Sequence, residues 1–313
     1  MSVVATRPRL GFLGVGWIGR KRLEAIEASG VAEIAALADP ALDGALDSLE
    51  ELLAEELEGI VIASPPGLHA EQARTAVEHG LAVFCQKPLA LDAAGAGRVV
   101  EAARDADRLL AVDLCYRHTE AARRVHELVS DGTLGEIFAV DLVFHNAYGP
   151  DKPWSAVPAL AGGGCVLDLG VHLVDLALWT LGWPEVRGVA SHLRGRPLED
   201  YAAAQLVLET GAVVRLACSW RLHVGRDCVI DASFHGTQGG ASLRNVGGSF
   251  FDFTGERHTG ARSEVLAAPP DDWGGRAVVA WARQLAAGGR FDPAADEVVR
   301  VHDVLDRIVR GGP

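Results

Sequence analysis

From residue 9 to about 118, short runs of uninterrupted hydrophobic residues alternate with segments whose apolar positions recur every three or four residues. The runs are RLGFLGVG, AEIAALAD, GIVIASPP, LAVFCQKP and LLAVDLC, and continuous apolar stretches of this kind suit parallel strands buried on both faces. Between them WIGRKRLEAIEASG and HAEQARTAVEHG carry the helical period. They stop at Gly30 and Gly80, the residue type favoured just past a helix end. Ser48 and Glu51 have the spacing of a capping box ahead of LLAEEL. The alternation predicts a doubly wound parallel α/β domain over residues 1–118.

After about residue 135 the rhythm changes to longer strand-like runs: IFAVDLVFH, AAAQLVLE, AVVRLACSW and CVIDASFH. Glu209, Thr210 and Gly211 separate two of them as a hairpin would. One helix, VLDLGVHLVDLALWTLG, interrupts this half, and RAVVAWARQLAAGG and DEVVRVHDVLDRIVRGG follow near the end. This predicts a second α+β domain over 119–313, built on an open-faced, mostly antiparallel sheet. Helices on one face leave the other apolar face exposed, and such faces mark interfaces, so a homodimer or homotetramer is expected.

A chain of 313 residues suits two such domains. No run approaches the roughly 18 apolar residues of a membrane span, and MSVVATRPRL lacks the apolar core of an export signal. A net charge of −13 argues against nucleic-acid binding, which needs a basic face. The five cysteines stand singly in apolar contexts with no metal-ligand spacing, as expected of core residues in a reducing cytoplasm. Among 29 basic residues only three are lysines, at 21, 87 and 152. Lys87 therefore looks selected for something arginine cannot do.

Gly14, Gly16 and Gly19 form a G-x-G-x-x-G between a strand and a helix, with Trp17 and Ile18 inside it. Such a turn brings backbone N–H groups and a helix N-terminus to a pyrophosphate. Asp39, at the end of the next strand, has the position of the acid that binds ribose hydroxyls, so a Rossmann domain binding NAD is expected. That acid repels a 2′-phosphate, and neither Pro40 nor Ala41 offsets it, so NAD is favoured over NADP.

Lys87-Pro88 stands at the C-terminal end of the LAVFCQKP strand, where open parallel sheets place ligands. A lysine there can donate a proton or stabilise charge, unless it merely snorkels to solvent. Asp168 and His172 are four residues apart, so on a helix they share a face, and Gly162 to Gly164 precede them. His172 could be a base oriented by Asp168; alternatively Asp168 caps the helix and His172 pairs with Asp175.

The glycine turn, SPPGLH at 64–69, CQKP at 85–88, YRH at 116–118 and GGGCVLDLGVHLVD at 162–175 together resemble the successive motifs of the Gfo/Idh/MocA family. The resemblance implies a nicotinamide dinucleotide oxidoreductase acting on sugars, cyclitols or related polyols. By similarity Lys87, Asp168 and His172 match the catalytic positions, Lys87-Pro88 is a step whose peptide bond is often cis, and Ser64, Pro65 and His69 lie near the cofactor. Gln86 is also placed at the cofactor, and Arg117 and Trp154 are candidate substrate contacts.

Two departures stand out. Gln86 replaces the usual glutamate of a Glu-Lys-Pro triplet, leaving Lys87 without an acidic neighbour in sequence. Between Asp39 and Ser48 there is only PALDGALD, too short for the helix and strand of a crossover, which takes at least about 10 residues. The expected activity is an NAD-dependent dehydrogenase or reductase. The alternatives are a non-catalytic nucleotide-binding scaffold and a redox-neutral glycosidase using bound NAD.

Overall fold

The computed structural model describes residues 7–150, 157–195 and 197–311, which form two units. The first holds five parallel strands, β1 (Arg9–Leu13), β2 (Glu33–Ala38), β3 (Gly59–Ile62), β4 (Ala82–Cys85) and β5 (Leu110–Val112), in the order β2-β1-β3-β4-β5. Helices α1 (Trp17–Ser29), α2 (Leu49–Leu53), α3 (His69–Glu78) and α4 (Ala93–Asp105) connect them. Gly30 ends α1 at φ +62°, donating its N–H to the carbonyls of Ile26 and Glu27. Ser48 caps α2 by accepting from Glu51 N–H, while the Glu51 carboxylate reaches back to Asp47 N–H rather than to Ser48.

The short crossover is real. After β2 the chain turns back at once, and Leu46 both donates to Leu37 and accepts from Asp39 at 2.9 Å. What would be a further edge strand is a single parallel bridge, Ala38 to Leu46.

The strands alternate their side chains between two cores. Leu13, Ile60, Ile62 and Val83 pack with α3 and α4, while Leu10, Phe12, Val61 and Phe84 pack on the other face. That second core is closed by a late helix, α8 (Arg276–Ala286), through Val278, Ala282 and Trp281, whose ring centroid lies 5.7 Å from that of Phe84. The sequence boundary at 118/119 placed this helix in the second domain. The structure returns Gly274–Arg300 to the first unit because the sheet needs an apolar cover on this face.

The second unit contains helices α5 (Glu120–Ser130), α6 (Pro158–Ala161) and α7 (Val171–Thr180), with α9 (Asp296–Arg310) divided between the units at Arg300. Its eight strands are β6 (Ile137–Asn146), β7 (Val186–Arg194), β8 (Tyr201–Leu208), β9 (Val213–Ser219), β10 (Cys228–Gly236), β11 (Gly240–Asn245), β12 (Phe253–Thr259) and β13 (Arg262–Ala267). They run in the order β13-β12-β11-β10-β6-β9-β8-β7, antiparallel except for β6 with β9. The predicted hairpin joins β8 to β9, with Gly211 at φ +87°. Val140, Leu142 and Phe144 of β6 are buried, and Ala139, Asp141 and Val143 face the other way, half-buried. No helix among the described residues is long and apolar enough to cross a membrane.

Candidate active site

In the first unit the glycine turn is built by packing on two sides and left open on the third. Gly14 sits at φ +87°, and a Cβ there would lie 2.7 Å from the backbone of Ala63. A Cβ on Gly19 would stand 2.2 Å from the Gly14 carbonyl oxygen, so α1 and β1 approach as only glycine allows. A Cβ on Gly16 would meet nothing within 4 Å. Gly16 is also the N-cap of α1 and caps no N–H with a side chain, so the first turn keeps its donors for an anion. This cradle fits a dinucleotide pyrophosphate. Trp17 beside it is 58% exposed, and Ile18 is half-buried.

Asp39 closes the turn from the end of β2. One carboxylate oxygen accepts from Val15 N–H at 2.7 Å and the other from Ala41 N–H at 2.9 Å. Each oxygen retains a lone pair for a ribose hydroxyl.

Beyond β3, His69 holds the loop together. Its ring is 1% exposed, and its nitrogens stand 2.7 and 2.8 Å from the carbonyl oxygens of Pro88 and Ser64. The ring ties the Ser64-Pro65 loop to the end of β4 and presents neither nitrogen to a cofactor. Burial lowers its pKa, against the pull of those carbonyls. The Ser64 hydroxyl is itself taken up by Gln72.

At the end of β4, Gln86 is buried, Lys87 is half-buried and the Lys87-Pro88 peptide bond is cis. Gln86 is fixed by its N–H to Ile62 O at 2.8 Å and by its side-chain amide, which donates to Asp113. Asp113, just after β5, also accepts from Arg22 Nε at 2.6 Å, with both partners buried. Burial opposes the charge of Arg22, but Asp113 raises its pKa on balance. Lys87 has no acidic neighbour in sequence, but a carboxylate stands against Gln86, supplied by Asp113 just after β5. The sequence reading missed both partners. Arg22 on the buried stripe Gly19, Arg22, Ile26 of α1 and Asp113 inside an apolar run are the signals that could have found them.

In the second unit, Asp168 lies in one π-helical turn, Val166–Gly170, that runs into α7. Such turns concentrate at functional sites. The start of the turn is held by Glu199, whose backbone carbonyl accepts from Cys165 N–H at 2.9 Å and whose carboxylate accepts from Val166 N–H at 3.1 Å. A Cβ on Gly164 would come within 2.3 Å of Glu199, which explains one of the three glycines. Trp220 of the β9 end donates its indole N–H to Asp168 at 3.0 Å. His172 is 6% exposed, with the Tyr116 ring set edge-on to it at 4.8 Å and Phe144 tilted at 6.0 Å. Glu199 and Trp220 were not identified from sequence, and Tyr116 only as part of the YRH motif, without a role.

The alternative pairing of His172 with Asp175 meets a competitor. Arg117 Nε contacts both Asp175 oxygens at 2.9 Å, and its guanidinium lies 5.0 Å from the Trp183 ring. Arg117 thus ties its half-buried guanidinium to the buried Asp175. Trp154 lies outside the described residues.

Comparison with known proteins agrees with this geometry. A family profile described as "Oxidoreductase family, NAD-binding Rossmann fold" matches residues 8–114, and "GFO/IDH/MocA C-terminal domain" matches 122–242. D-glucoside 3-dehydrogenase of Escherichia coli is 28% identical over 211 residues, which is 61% of this chain and 60% of that protein. D-xylose 1-dehydrogenase (NADP(+)) 2 of Haloferax volcanii is 32% identical over 226 residues, 67% and 69% of the two chains. The solved structure of levoglucosan dehydrogenase with NADH and L-sorbose superposes with a TM-score of 0.83 at 20% identity, covering 97% of this chain and 96% of that one, a likeness of fold. The chain belongs to the Gfo/Idh/MocA family of oxidoreductases, with an N-terminal NAD-binding Rossmann domain.

Proposed function

We propose that the protein is an NAD-dependent oxidoreductase acting on a secondary alcohol or ketone of a sugar, cyclitol or similar small polyol. The observation that carries the reading is the glycine turn closed by Asp39, open at Gly16 and uncapped at α1. The carboxylate at this position favours NAD over NADP. The names of the relatives, which include a glucoside dehydrogenase and a xylose dehydrogenase, support the sugar-like substrate.

When bound, the cofactor would supply the hydride acceptor as NAD in oxidation and the hydride donor as NADH in reduction. His172 takes the proton of the reacting hydroxyl. Lys87 donates a hydrogen bond to the same oxygen and stabilises its developing negative charge, which a compact ammonium on a flexible stem can do. Asp168, fixed by Trp220, orients His172 and accepts from the substrate.

The protein also assembles as a homodimer or homotetramer through the uncovered face of the eight-stranded sheet. Supporting this, Val143, Ala190, Ala203 and Ala217 line a depression of about 830 Å³ on that face, bordered by the Arg215–Asp141 ion pair. The reducing cytosol is its proposed location, which suits five free thiols, four of them buried.

A screen of sugars and polyols with NAD, followed at the absorbance band of the reduced nicotinamide, tests the activity. Net NADH formation with at least one of them is expected. Substrate cleavage without NADH, or neither, contradicts the reading.

A further inference from the structure

The geometry points to Asp113 as a positioning residue for Lys87, acting through Gln86; the inference deepens the proposed role of Lys87 and rests on it. Asp113 is 1% exposed, and one of its oxygens takes both the Arg22 guanidinium and the Gln86 amide. The other oxygen is buried with no hydrogen-bond partner among the described residues. A carboxylate in that condition is costly unless its neighbours are donors. Residue 86 must therefore be a donor, and an amide is the side chain of glutamate shape that provides one.

Two further ties complete the strand end. Gln86 N–H binds Ile62 O, and Pro88 O binds the His69 ring, so the residues on both sides of Lys87 are held. The side-chain tie is the one that carries charge. The groups around Asp113 are Arg22 from α1, Gln86 at the β4 end, Cys85 of β4, whose thiol burial and then Asp113 push up, and Cys115 beyond β5, whose thiol senses Asp113, Arg22 and Lys87 together. The acid that a glutamate at 86 would place next to Lys87 thus comes from just after β5. Position 86 and position 113 are a matched pair, one amide and one carboxylate.

The consequence is counterintuitive. Gln86→Glu, which restores the usual Glu-Lys-Pro triplet, should damage this protein, because two carboxylates then share one buried guanidinium. One of the two acids must take a proton to remain buried, so the damage is largest at high pH and fades as pH falls toward 5. Asp113→Asn should also damage it, by leaving Arg22 buried without its countercharge. Exchanging the two, Gln86→Glu with Asp113→Asn, restores one amide, one carboxylate and one guanidinium.

The test compares wild type, both single variants and the exchange. Thermal melting at pH 8 should fall by about 5 °C or more in each single variant and recover for the most part in the exchange. The second measurement reads Lys87 directly. With three lysines in the chain, reductive 13C-methylation gives three side-chain signals besides the amino terminus, and Lys87→Arg identifies the relevant one. The Lys87 signal should move in both single variants and return in the exchange, while the signal of exposed Lys21 stays fixed. Gln86→Glu without loss of stability, no recovery in the exchange, or a Lys87 signal identical in all four proteins each overturns the inference. Neither measurement needs turnover. If the signals behave as expected but no polyol or sugar is oxidised, the proposed function fails and the positioning of Lys87 stands.

Discussion

Trp220 donates its indole N–H to Asp168 Oδ2 at 3.0 Å, so the carboxylate one turn before His172 is held from β9, 52 residues away in sequence. A hydrogen bond to a charged acceptor is worth about 1.5–3 kcal/mol. Trp220→Phe keeps an aromatic ring and removes the donor. Turnover should fall about tenfold, the scale of 1.4 kcal/mol, with thermal stability changed by only a few degrees. Equal turnover in the variant would show that Asp168 needs no such support.

The glycine turn yields a paired prediction. Gly16→Ala places a methyl in space that is open within 4 Å, so melting should be unchanged while NAD affinity drops by about tenfold or more. Gly19→Ala forces a Cβ to 2.2 Å from the Gly14 carbonyl, so melting itself should fall by several degrees. Melting curves with and without NAD separate the two. Undiminished NAD binding in Gly16→Ala would place the pyrophosphate elsewhere.

Asp39 ties the turn and is the proposed ribose acid, so NAD should bind at least about tenfold more tightly than NADP. With only the Ala38 to Leu46 bridge where a strand and helix usually stand, the adenosine side is poorly walled, and Kd for NAD should be no tighter than about 1 μM. Quenching of tryptophan fluorescence, to which exposed Trp17 contributes, measures both. Tighter NADP binding, or nanomolar NAD, would refute the respective statement.

Cys228 gives a pH dependence. Burial, and then the charge of Asp227, pushes its thiol up to about 12 from the usual 9.0. The folded-state pKa is raised, so its contribution is complete below pH 9 and is lost as pH climbs toward 12, because the unfolded chain releases the proton first. The loss is at most about 1.4 kcal/mol per pH unit for one such thiol. Between pH 9 and 11, Cys228→Ala should therefore lose melting temperature less steeply than wild type. Parallel slopes would mean that the thiol ionises as readily in the folded protein.

Much of this fold is legible in the sequence because it is locally encoded. The apolar runs became β1 to β5, Gly30 ended α1, and the length of PALDGALD alone required a truncated crossover. The site divides along the same line. The glycine turn and Asp39 could be placed from spacing, since a strand, a tight turn and a helix fix their geometry. Arg22 with Asp113, Trp220 with Asp168 and Glu199 with Val166 could not, being 91, 52 and 33 residues apart and brought into hydrogen-bond range only by the tertiary fold. The π turn at Asp168 inserts itself where the pattern reads as plain helix. The tie made by His69 is hidden for a related reason: its two carbonyl partners come from different strand ends and consume both ring nitrogens. The return of Trp281 to the first core likewise depends on a face that only the assembled sheet reveals.

The central claim is that Lys87 donates to the reacting oxygen. The direct measurement is turnover of Lys87→Met, with NAD and whichever polyol or sugar the wild type oxidises, read as NADH formation per active site. Methionine keeps the length and apolar stem, so melting and NAD affinity should remain near wild type, while kcat falls by about 10²-fold or more, as for loss of a transition-state donor. Wild-type kcat in Lys87→Met would contradict the account and leave this lysine as a strand end reaching for solvent.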